Sequence, residues 1–368
     1  MASSPFQALL RHPKVVSGLL KRELGQHGFS ILDGALGGNW ASQAKAEIRA
    51  LQKAARLHLN ATHHVLPDNT VEVLPKHGIW ELSSEALLRD EASNLRWGLS
   101  STSPMVVETP TLDAFVTESM ALYPVLARAG FERSDTSSLR DCIQTWRTTV
   151  KIQFNAGEGG CFPLHYDTAP GVDSRFLTAI YYTNESWWPG HGGELQLYPF
   201  PYESPPLIEP ISDRLVFFSS RNMLHRVLPA AKERYCITFW IYMSEDEAVS
   251  HRASTGKPFK PVPNVTSNVD MAESVALSLL LAPQIRRHFA RIALGLEWCN
   301  SLEASHPKTP ASTKVFQRHR NESSSIEAAL QKYLKEIGLE GRAQDPKALA
   351  DAHLPVSKEA HPDLVRWF

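Results

Sequence analysis

Cysteine is scarce in this chain, with only four in 368 residues. They are Cys142, Cys161, Cys236 and Cys299, and no two of them form a C-x-x-C pair. A disulfide framework or a structural zinc site would need closely paired cysteines. The scarcity therefore argues against both classes of protein, and it predicts a reducing compartment, the cytoplasm or the nucleus.

Excess charge of one sign and long apolar runs are missing as well. The formal net charge is −1 at pH 7, so no global field predicts a nucleic acid or an anionic membrane as a partner. The most apolar stretch, 275–282, is far too short to span a bilayer. Residues 1–30 contain no continuous apolar segment of the kind found in secretory signals. We therefore expect no membrane partner, no nucleic-acid partner and no secretion.

Against this background, one short motif of metal-binding residue types stands out. The chain reads H-Y-D at 165–167, and His225 follows sixty residues after His165. In an extended strand residues i and i+2 point to the same side, so His165 and Asp167 can reach one metal ion. Two imidazoles and one carboxylate suit non-haem Fe(II), because they occupy one face of an octahedron and leave three positions open. The motif alone is weak: a second H-x-D begins at His361 with no histidine after it, and we interpret that copy as a surface turn.

The surroundings of His225 and the later Arg234 strengthen the prediction. An apolar run at 213–218 precedes His225 and is typical of a buried strand. Arg234 opens the segment 234–241, in which both alternating faces are largely apolar. Arg234 could be a strand-edge charge facing solvent, but a buried arginine needs an anionic partner, and its planar fork fits a carboxylate. Together with the metal motif, this arginine predicts a 2-oxoglutarate-dependent oxygenase.

Six segments between about 151 and 243 resemble the prolyl 4-hydroxylase-like 2-oxoglutarate/Fe(II) oxygenases, and among them the hypoxia-inducible-factor type of prolyl hydroxylase domain. The segments keep the order and spacing of that family. They are H-Y-D at 165–167, R-F-L-T-A-I-Y-Y-T-N at 175–184, G-G-E-L at 192–195, D-R-L-V-F-F at 213–218, H-R-V at 225–227 and R-Y-C-I-T-F-W at 234–240.

The resemblance implies a role for each matching residue. It implies Fe(II) on His165, Asp167 and His225, and 2-oxoglutarate with its distal carboxylate on Arg234 and the Tyr182 hydroxyl. Thr238, Ile180 and Trp240 would line that pocket, and Arg175 would lie near the substrate entrance. It also implies O2 as co-substrate, ascorbate (vitamin C) as reductant, and a protein or peptide substrate. One departure stands out: where the family often has a tyrosine about ten residues before the first ligand, this chain has Phe154 and Asn155.

Periodicity predicts the organisation around this region. We expect an α+β, mainly β, fold: a double-stranded β-helix (jelly-roll) barrel backed by N-terminal helices, with a helical C-terminal extension. The predicted units are a supporting region at 1–147, the barrel core at 148–245, a linker at 246–270 and the extension at 271–368. Predicted helices are 43–59, 110–130 with Thr109 as N-cap, 271–300 with a kink or break at Pro283, and 325–337. Predicted strands are 149–154, 175–183, 193–199, 214–220, 226–228 and 234–243.

Two classes of function remain open on the sequence alone. The enzyme would couple oxidative decarboxylation of 2-oxoglutarate to hydroxylation of an aliphatic C–H, and retention of Asp167 favours hydroxylation over halogenation. Only the resemblance indicates a prolyl target, so a small molecule or a free amino acid is the alternative substrate. The competing class is a non-catalytic jelly-roll that binds a partner. The C-terminal helices are expected to pack on the barrel or on a second copy, with a substrate-recruiting domain as the rival, and the oligomeric state is open.

Overall fold

A computed structural model of the chain describes residues 13–65, 70–86, 107–119, 148–168, 173–202, 205–242, 276–338, 341–362, 364–365 and 367–368. Its strands are β1 Phe29–Asp33, β2 His58–Val65, β3 Val71–Ala86, β4 Thr148–Asn155, β5 Phe162–His165, β6 Arg175–Tyr182, β7 Leu195–Tyr198, β8 Leu207–Ile208, β9 Arg214–Ser219, β10 Leu224–Val227 and β11 Arg234–Tyr242. Its helices are α1 Pro13–His27, α2 Gly38–Lys53, α3 Pro110–Glu118, α4 Pro283–Ala293, α5 Gly295–Ser305, α6 Pro310–Glu336 and α7 Pro346–His353, with a 3₁₀ turn at Gly341–Gln344.

The strands form two antiparallel sheets, which confirms the predicted jelly-roll core. The major sheet has the order β1-β9-β6-β11-β4-β3-β2, and the minor sheet has the order β5-β10-β7-β8. Six of the nine neighbouring pairs join strands that are not consecutive in the chain, so the core depends on long-range pairing as well as on hairpins.

Strands β6 and β11 lie at the centre of the major sheet and are buried on both faces. One face packs beneath the N-terminal helices, in a core that includes Ile48 of α2, Phe115 of α3 and Phe239 of β11. The opposite face lines the barrel and contributes Ile180 and Tyr182 to a second core. This double burial explains why both alternating faces of these strands are apolar in sequence.

The N-terminal region differs from the prediction, because it contributes three strands to the major sheet as well as helices. The helix expected over 43–59 ends at Lys53, Ala55 adopts a left-handed conformation with φ 53°, and Leu59 lies in β2 rather than on an apolar helix face. The second half of β3, residues 79–86, pairs with the whole of β4. The sequence of β2 is largely polar and does not predict a strand, but β2 is one because it pairs with β3, the next strand of the chain.

Helix α3 begins at the predicted point but is capped differently. Thr109 is its N-cap residue, yet the Thr109 side chain makes no capping bond. The carboxylate of Glu47 in α2 instead accepts hydrogen bonds from the backbone N–H groups of Thr111 and Leu112, each at 2.9 Å. A carboxylate at this end is also favoured by the helix dipole. The remainder of the predicted helix, from 120 to 130, lies outside the described residues.

The C-terminal extension packs on the barrel, as predicted. Leu279, Phe289, Leu330 and Leu334 share one core with barrel residues such as Phe218. The predicted break at Pro283 is confirmed, because helical residues at 276–280 end before it and α4 begins at Pro283. A second break follows at Leu294, and the helix predicted at 325–337 is the end of the much longer α6. The predicted linker lies outside the described residues. Throughout the described part of the chain, no helix combines the length and apolar character that a membrane crossing requires.

Candidate metal centre and carboxylate pocket

Two neighbouring strands of the minor sheet bring the candidate metal ligands together. Strands β5 and β10 pair antiparallel with His165 directly opposite His225, and the two imidazole centroids are 4.2 Å apart. Asp167 follows His165 by two residues, so its side chain returns to the same side of the chain. The pairing register therefore closes a gap of sixty residues in the sequence.

The polar atoms of these three side chains converge on one point. Nε2 of His165 and Nε2 of His225 lie 3.6 Å and 3.7 Å from the same Asp167 oxygen, Oδ1. A metal ion with bonds of about 2.1 Å can bridge such separations. Among the described residues, this is the only group of three or more His, Cys, Asp or Glu side chains with the closeness that a metal ion needs.

Backbone carbonyls orient both imidazoles for metal binding. Nδ1 of His165 lies 2.7 Å from the Pro163 carbonyl oxygen, and Nδ1 of His225 lies 3.1 Å from that of Met223. If each Nδ1–H donates to its carbonyl, each Nε2 keeps its lone pair free, which is the tautomer a divalent metal requires. The ring orientation is thus set by the strands themselves.

The electrostatics of the cluster also fit a cation. Burial by itself would raise the pKa of Asp167, but His225, His165 and the Thr178 hydroxyl together hold that pKa well below its usual range. Burial, followed by the proximity of His165, lowers the pKa of His225 to about 4. An ionised carboxylate beside a neutral imidazole is the donor set for Fe(II).

A buried arginine lies on the inner face of the major sheet. Arg234 is 4% exposed, and its Nε donates to the Gly193 carbonyl oxygen at 2.8 Å. One of its terminal nitrogens donates to Cys236 Sγ at 3.3 Å and the other to the Tyr182 hydroxyl at 3.4 Å. Within the described part of the chain, no carboxylate oxygen lies within 4.0 Å of this guanidinium. A buried cation of this kind is stabilised by a bound anion.

The other residues predicted for the pocket lie on the same inner face. Thr238 pairs with Ile180, Trp240 pairs with Thr178, and all of these side chains are buried. Burial raises the pKa of Tyr182 to about 12, so its hydroxyl stays protonated and can donate. The indole N–H of Trp240 is buried and meets no acceptor among the described residues.

Arg175 contacts the metal-ligand segment. Its Nη1 donates to the Asp167 carbonyl oxygen at 3.0 Å, and its Nε donates to the Tyr242 hydroxyl at 3.2 Å. Its guanidinium lies 4.7 Å from the centre of the Trp240 ring. Part of the loop before Arg175, 169–172, lies outside the described residues.

Phe154 and Asn155, which stand where the family often has a tyrosine, have no hydroxyl to offer the pocket. Phe154 packs in the core between the major sheet and the N-terminal helices, with its ring centre 5.1 Å from that of Tyr235. Asn155 closes the following turn, since its Nδ2 donates to the Gly160 carbonyl oxygen at 2.8 Å and its Oδ1 accepts from the Gly157 N–H at 3.0 Å. The polar atoms of the Asn155 side chain therefore stabilise this turn.

Sequence reasoning missed two residues that hold the site together. The Thr178 hydroxyl donates to Asp167 Oδ2, on the side of the carboxylate away from the histidines. Gly193 lies so close to Arg234 that an added Cβ would come within 2.7 Å of Arg234 Cδ. Strand alternation could have identified Thr178, because it shares a face with Ile180 and Tyr182. The motif G-G-E-L contains Gly193, but its spacing does not reveal the neighbouring arginine.

Several known proteins are similar to this chain. The sequence profile of the 2OG-Fe(II) oxygenase superfamily matches residues 150–242. The hypoxia-inducible factor prolyl hydroxylase of Caenorhabditis elegans is 41% identical over 103 residues, which are 27% of this chain and 14% of that protein. The mouse prolyl hydroxylase EGLN3 is 34% identical over 128 residues, which are 34% of this chain and 50% of that protein. The chain thus spans half or less of the length of these curated relatives.

A solved structure extends the likeness to nearly the whole chain. The structure of a prolyl 4-hydroxylase from Phytophthora capsici matches with a TM-score of 0.59 and 25% identity, covering 96% of this chain and 97% of that one. The match therefore includes the helices that flank the barrel as well as the barrel itself. Residues 150–242 thus match the 2OG-Fe(II) oxygenase superfamily, and the fold of nearly the whole chain is similar to that of a solved prolyl 4-hydroxylase.

Proposed function

We propose that this protein is an Fe(II)- and 2-oxoglutarate-dependent dioxygenase that hydroxylates a prolyl residue of a protein or peptide. One observation carries the proposal: in the part of the chain that the structure describes, a His-Asp-His cluster and a buried arginine without a carboxylate partner occur on the facing sheets of one barrel. The first suits a divalent metal, and the second suits the distal carboxylate of a dicarboxylate. The names of the similar proteins support the prolyl target.

Each residue has a definable task in this proposal. His165, Asp167 and His225 would hold Fe(II), which with 2-oxoglutarate and O2 supplies an oxidant able to hydroxylate an unactivated C–H, with release of succinate and CO2. Arg234 and the Tyr182 hydroxyl would bind the distal carboxylate through charge-assisted hydrogen bonds. Ile180, Thr238 and Trp240 would shape the pocket and exclude water. Ascorbate would act as the reductant that maintains ferrous iron.

Arg175 and Trp240 are our candidates for contact with the substrate. The Trp240 indole N–H has no acceptor among the described residues, so a backbone carbonyl of a bound peptide could accept from it. Arg175 holds its guanidinium beside the same ring and would fix the ring's position. The alternative substrate class, a free amino acid or another small molecule, would need only the metal and the carboxylate pocket.

Succinate release with purified protein, Fe(II), 2-oxoglutarate and ascorbate tests the proposal. The substrates are a panel of proline-containing peptides, matched peptides with alanine for proline, and free proline. We expect succinate to rise with the proline peptides alone, together with a mass gain of one oxygen atom on the proline. Turnover of free proline but not of peptides would replace the substrate assignment.

Three single substitutions test the metal assignment in the same assay. His165→Ala, Asp167→Ala and His225→Ala should each abolish succinate formation and reduce bound iron, with circular dichroism unchanged. Near-wild-type coupled turnover in any one of them would remove that residue from the proposed ligand set. Absence of bound iron and of turnover in the wild-type protein would favour the non-catalytic binding role.

A further inference from the structure

The segment that carries His165 and Asp167 has two sides. The two ligands face the barrel interior, while the residues between and beside them meet helices α4 and α5 of the C-terminal extension. Tyr166, for example, points away from the metal cluster, as strand alternation requires, and its ring centre lies 6.3 Å from that of Trp298 in α5. The extension thus forms the outer support of the metal-ligand segment.

Arg287 of α4 contacts this support directly. Its NH2 donates to the Thr168 carbonyl oxygen at 2.9 Å, one residue after Asp167, and also to the Arg221 carbonyl oxygen. Its guanidinium lies 4.2 Å from the centre of the Tyr166 ring, within cation–π range. One side chain therefore touches both the residue between the two ligands and the residue after the second.

Ser301 of α5 holds the other end of the segment. Its hydroxyl accepts a hydrogen bond from the Leu164 N–H at 3.0 Å, one residue before His165. The same hydroxyl donates to the Trp298 carbonyl oxygen at 2.8 Å, which fixes its direction. The backbone from Leu164 to Thr168 is thus bonded to the C-terminal helices at both ends of the ligand pair.

We propose that α4 and α5 are part of the metal centre's support, with Arg287 and Ser301 as positioning residues for His165 and Asp167. The proposal rests on the proposed function, since it concerns the same metal ligands. Groups that orient metal ligands commonly contribute tenfold to a hundredfold in metal affinity. The extension would then determine the affinity of the site for its metal as well as the stability of the fold.

Binding of Mn(II) to the metal-free full-length protein, measured by isothermal titration calorimetry, tests this idea without catalysis. Arg287→Met keeps the long apolar stem and removes the hydrogen bonds and the charge, and Ser301→Ala removes the hydroxyl. We expect Mn(II) to bind about tenfold or more weakly to each variant. Arg287→Lys, which keeps a cation over Tyr166, should recover part of the loss.

Two matched controls come from the same helices. Arg291 lies one turn after Arg287, and it bonds to His319 and Glu322 of α6 instead of the ligand segment. Ser305 donates to the Leu302 carbonyl oxygen just as Ser301 donates to that of Trp298, but it does not meet Leu164. Arg291→Met and Ser305→Ala should therefore bind Mn(II) like wild type, even if their melting temperatures fall.

The outcomes separate this inference from the proposed function. Wild-type Mn(II) affinity in both Arg287→Met and Ser301→Ala overturns the positioning role, as does an equal loss in the Arg291→Met and Ser305→Ala controls. If His165→Ala binds Mn(II) as well as wild type does, the proposed metal centre itself fails. Should Arg287→Met not fold, Ser301→Ala and Arg287→Lys decide the question.

Discussion

The hydroxyl of Thr178 donates a hydrogen bond to Asp167 Oδ2, while Asp167 Oδ1 faces the imidazoles of both His165 and His225. The two oxygens of one carboxylate are therefore committed to different tasks. The Thr178 hydroxyl also lies 2.7 Å from the Ser220 hydroxyl. Because Thr178 donates its proton to Asp167, it can accept a hydrogen bond from Ser220. Asp167 would thus hold a metal ion through Oδ1, while Thr178 keeps Oδ2 in a hydrogen bond.

Thr178→Val should weaken metal binding while keeping the shape of the side chain. The expected loss in Mn(II) affinity is about tenfold, because an orienting partner of a metal ligand is removed. Thr183→Val is the matched control: the Thr183 hydroxyl is buried and has no partner among the described residues, so its removal should leave metal affinity unchanged. Equal Mn(II) affinities in wild type and Thr178→Val, measured by calorimetry, would contradict the orienting role.

Arg234→Ala should act on 2-oxoglutarate rather than on the metal. A hydrogen bond to a charged group contributes about 1.5–3 kcal/mol, so the apparent KM for 2-oxoglutarate should rise at least tenfold. Tyr182→Phe should raise it less, because the Tyr182 hydroxyl is only one of the donors to that carboxylate. Steady-state kinetics with varied 2-oxoglutarate measure both effects. An unchanged KM in Arg234→Ala would require the carboxylate pocket to lie elsewhere.

Gly193→Ala should displace the Arg234 side chain, although the two residues are 41 positions apart in the sequence. Gly193 has φ 78°, and an added Cβ would meet Arg234 Cδ at 2.7 Å, so the guanidinium must move. We expect a severalfold higher KM for 2-oxoglutarate with Mn(II) affinity retained. Gly159→Ala is the control, since Gly159 has φ 83° with open space around its Cβ position. It carries the same backbone strain, about 1–2 kcal/mol, and should leave that KM alone.

Lys76→Met should change the dependence of stability on pH. Burial lowers the pKa of Lys76 to about 8, and its Nζ donates to Asn60 Oδ1 at 2.7 Å. Below pH 8 both folded and unfolded chains carry the charge, so the folded state bears the full cost of burying it. Between pH 8 and about 10.5 the unfolded chain holds a proton that the folded chain has lost, so wild-type stability rises there.

The free energy of unfolding of Lys76→Met minus that of wild type should therefore be larger at pH 7 than at pH 10.5. One pKa unit corresponds to about 1.4 kcal/mol, which gives a decrease of about 2–3 kcal/mol across this window. Urea unfolding at both pH values measures it. The exposed Lys332→Met serves as control and should show no such change. A difference that is constant with pH would mean that Lys76 titrates normally in the folded protein.

The barrel strands and the candidate ligands could be predicted because their signals are local. The predicted strands differ from the observed ones by no more than one residue at any end: they are 149–154 for β4, 175–183 for β6, 214–220 for β9 and 234–243 for β11. A strand buried on both faces is apolar throughout its length, and that property survives without knowledge of its neighbours. The metal motif is likewise visible as residue types at fixed spacing.

What escaped prediction depends on contacts between distant segments. Strand β3 contains Pro75 and Gly78, which interrupt the alternation that would mark a strand, and it is held in the sheet by pairing with β4. Arg287 and Ser301 meet the ligand segment across more than a hundred residues. Local periodicity in the sequence does not predict such contacts, so the residues that contact the ligand segment are identified only from the structure.

Truncation after residue 243 should remove the fold rather than a detachable recruiting domain. The core that contains Val216 and Phe218 of the barrel is completed by Leu279, Phe289 and Leu334 of the extension. Full exposure of a large apolar side chain costs about 1.5–3 kcal/mol, and the loss of several such contacts exceeds the stability of a typical domain. We expect an insoluble fragment, or one without a cooperative thermal transition. A soluble fragment that still releases succinate from 2-oxoglutarate, but no longer hydroxylates peptide, would instead establish the extension as the recruiting element.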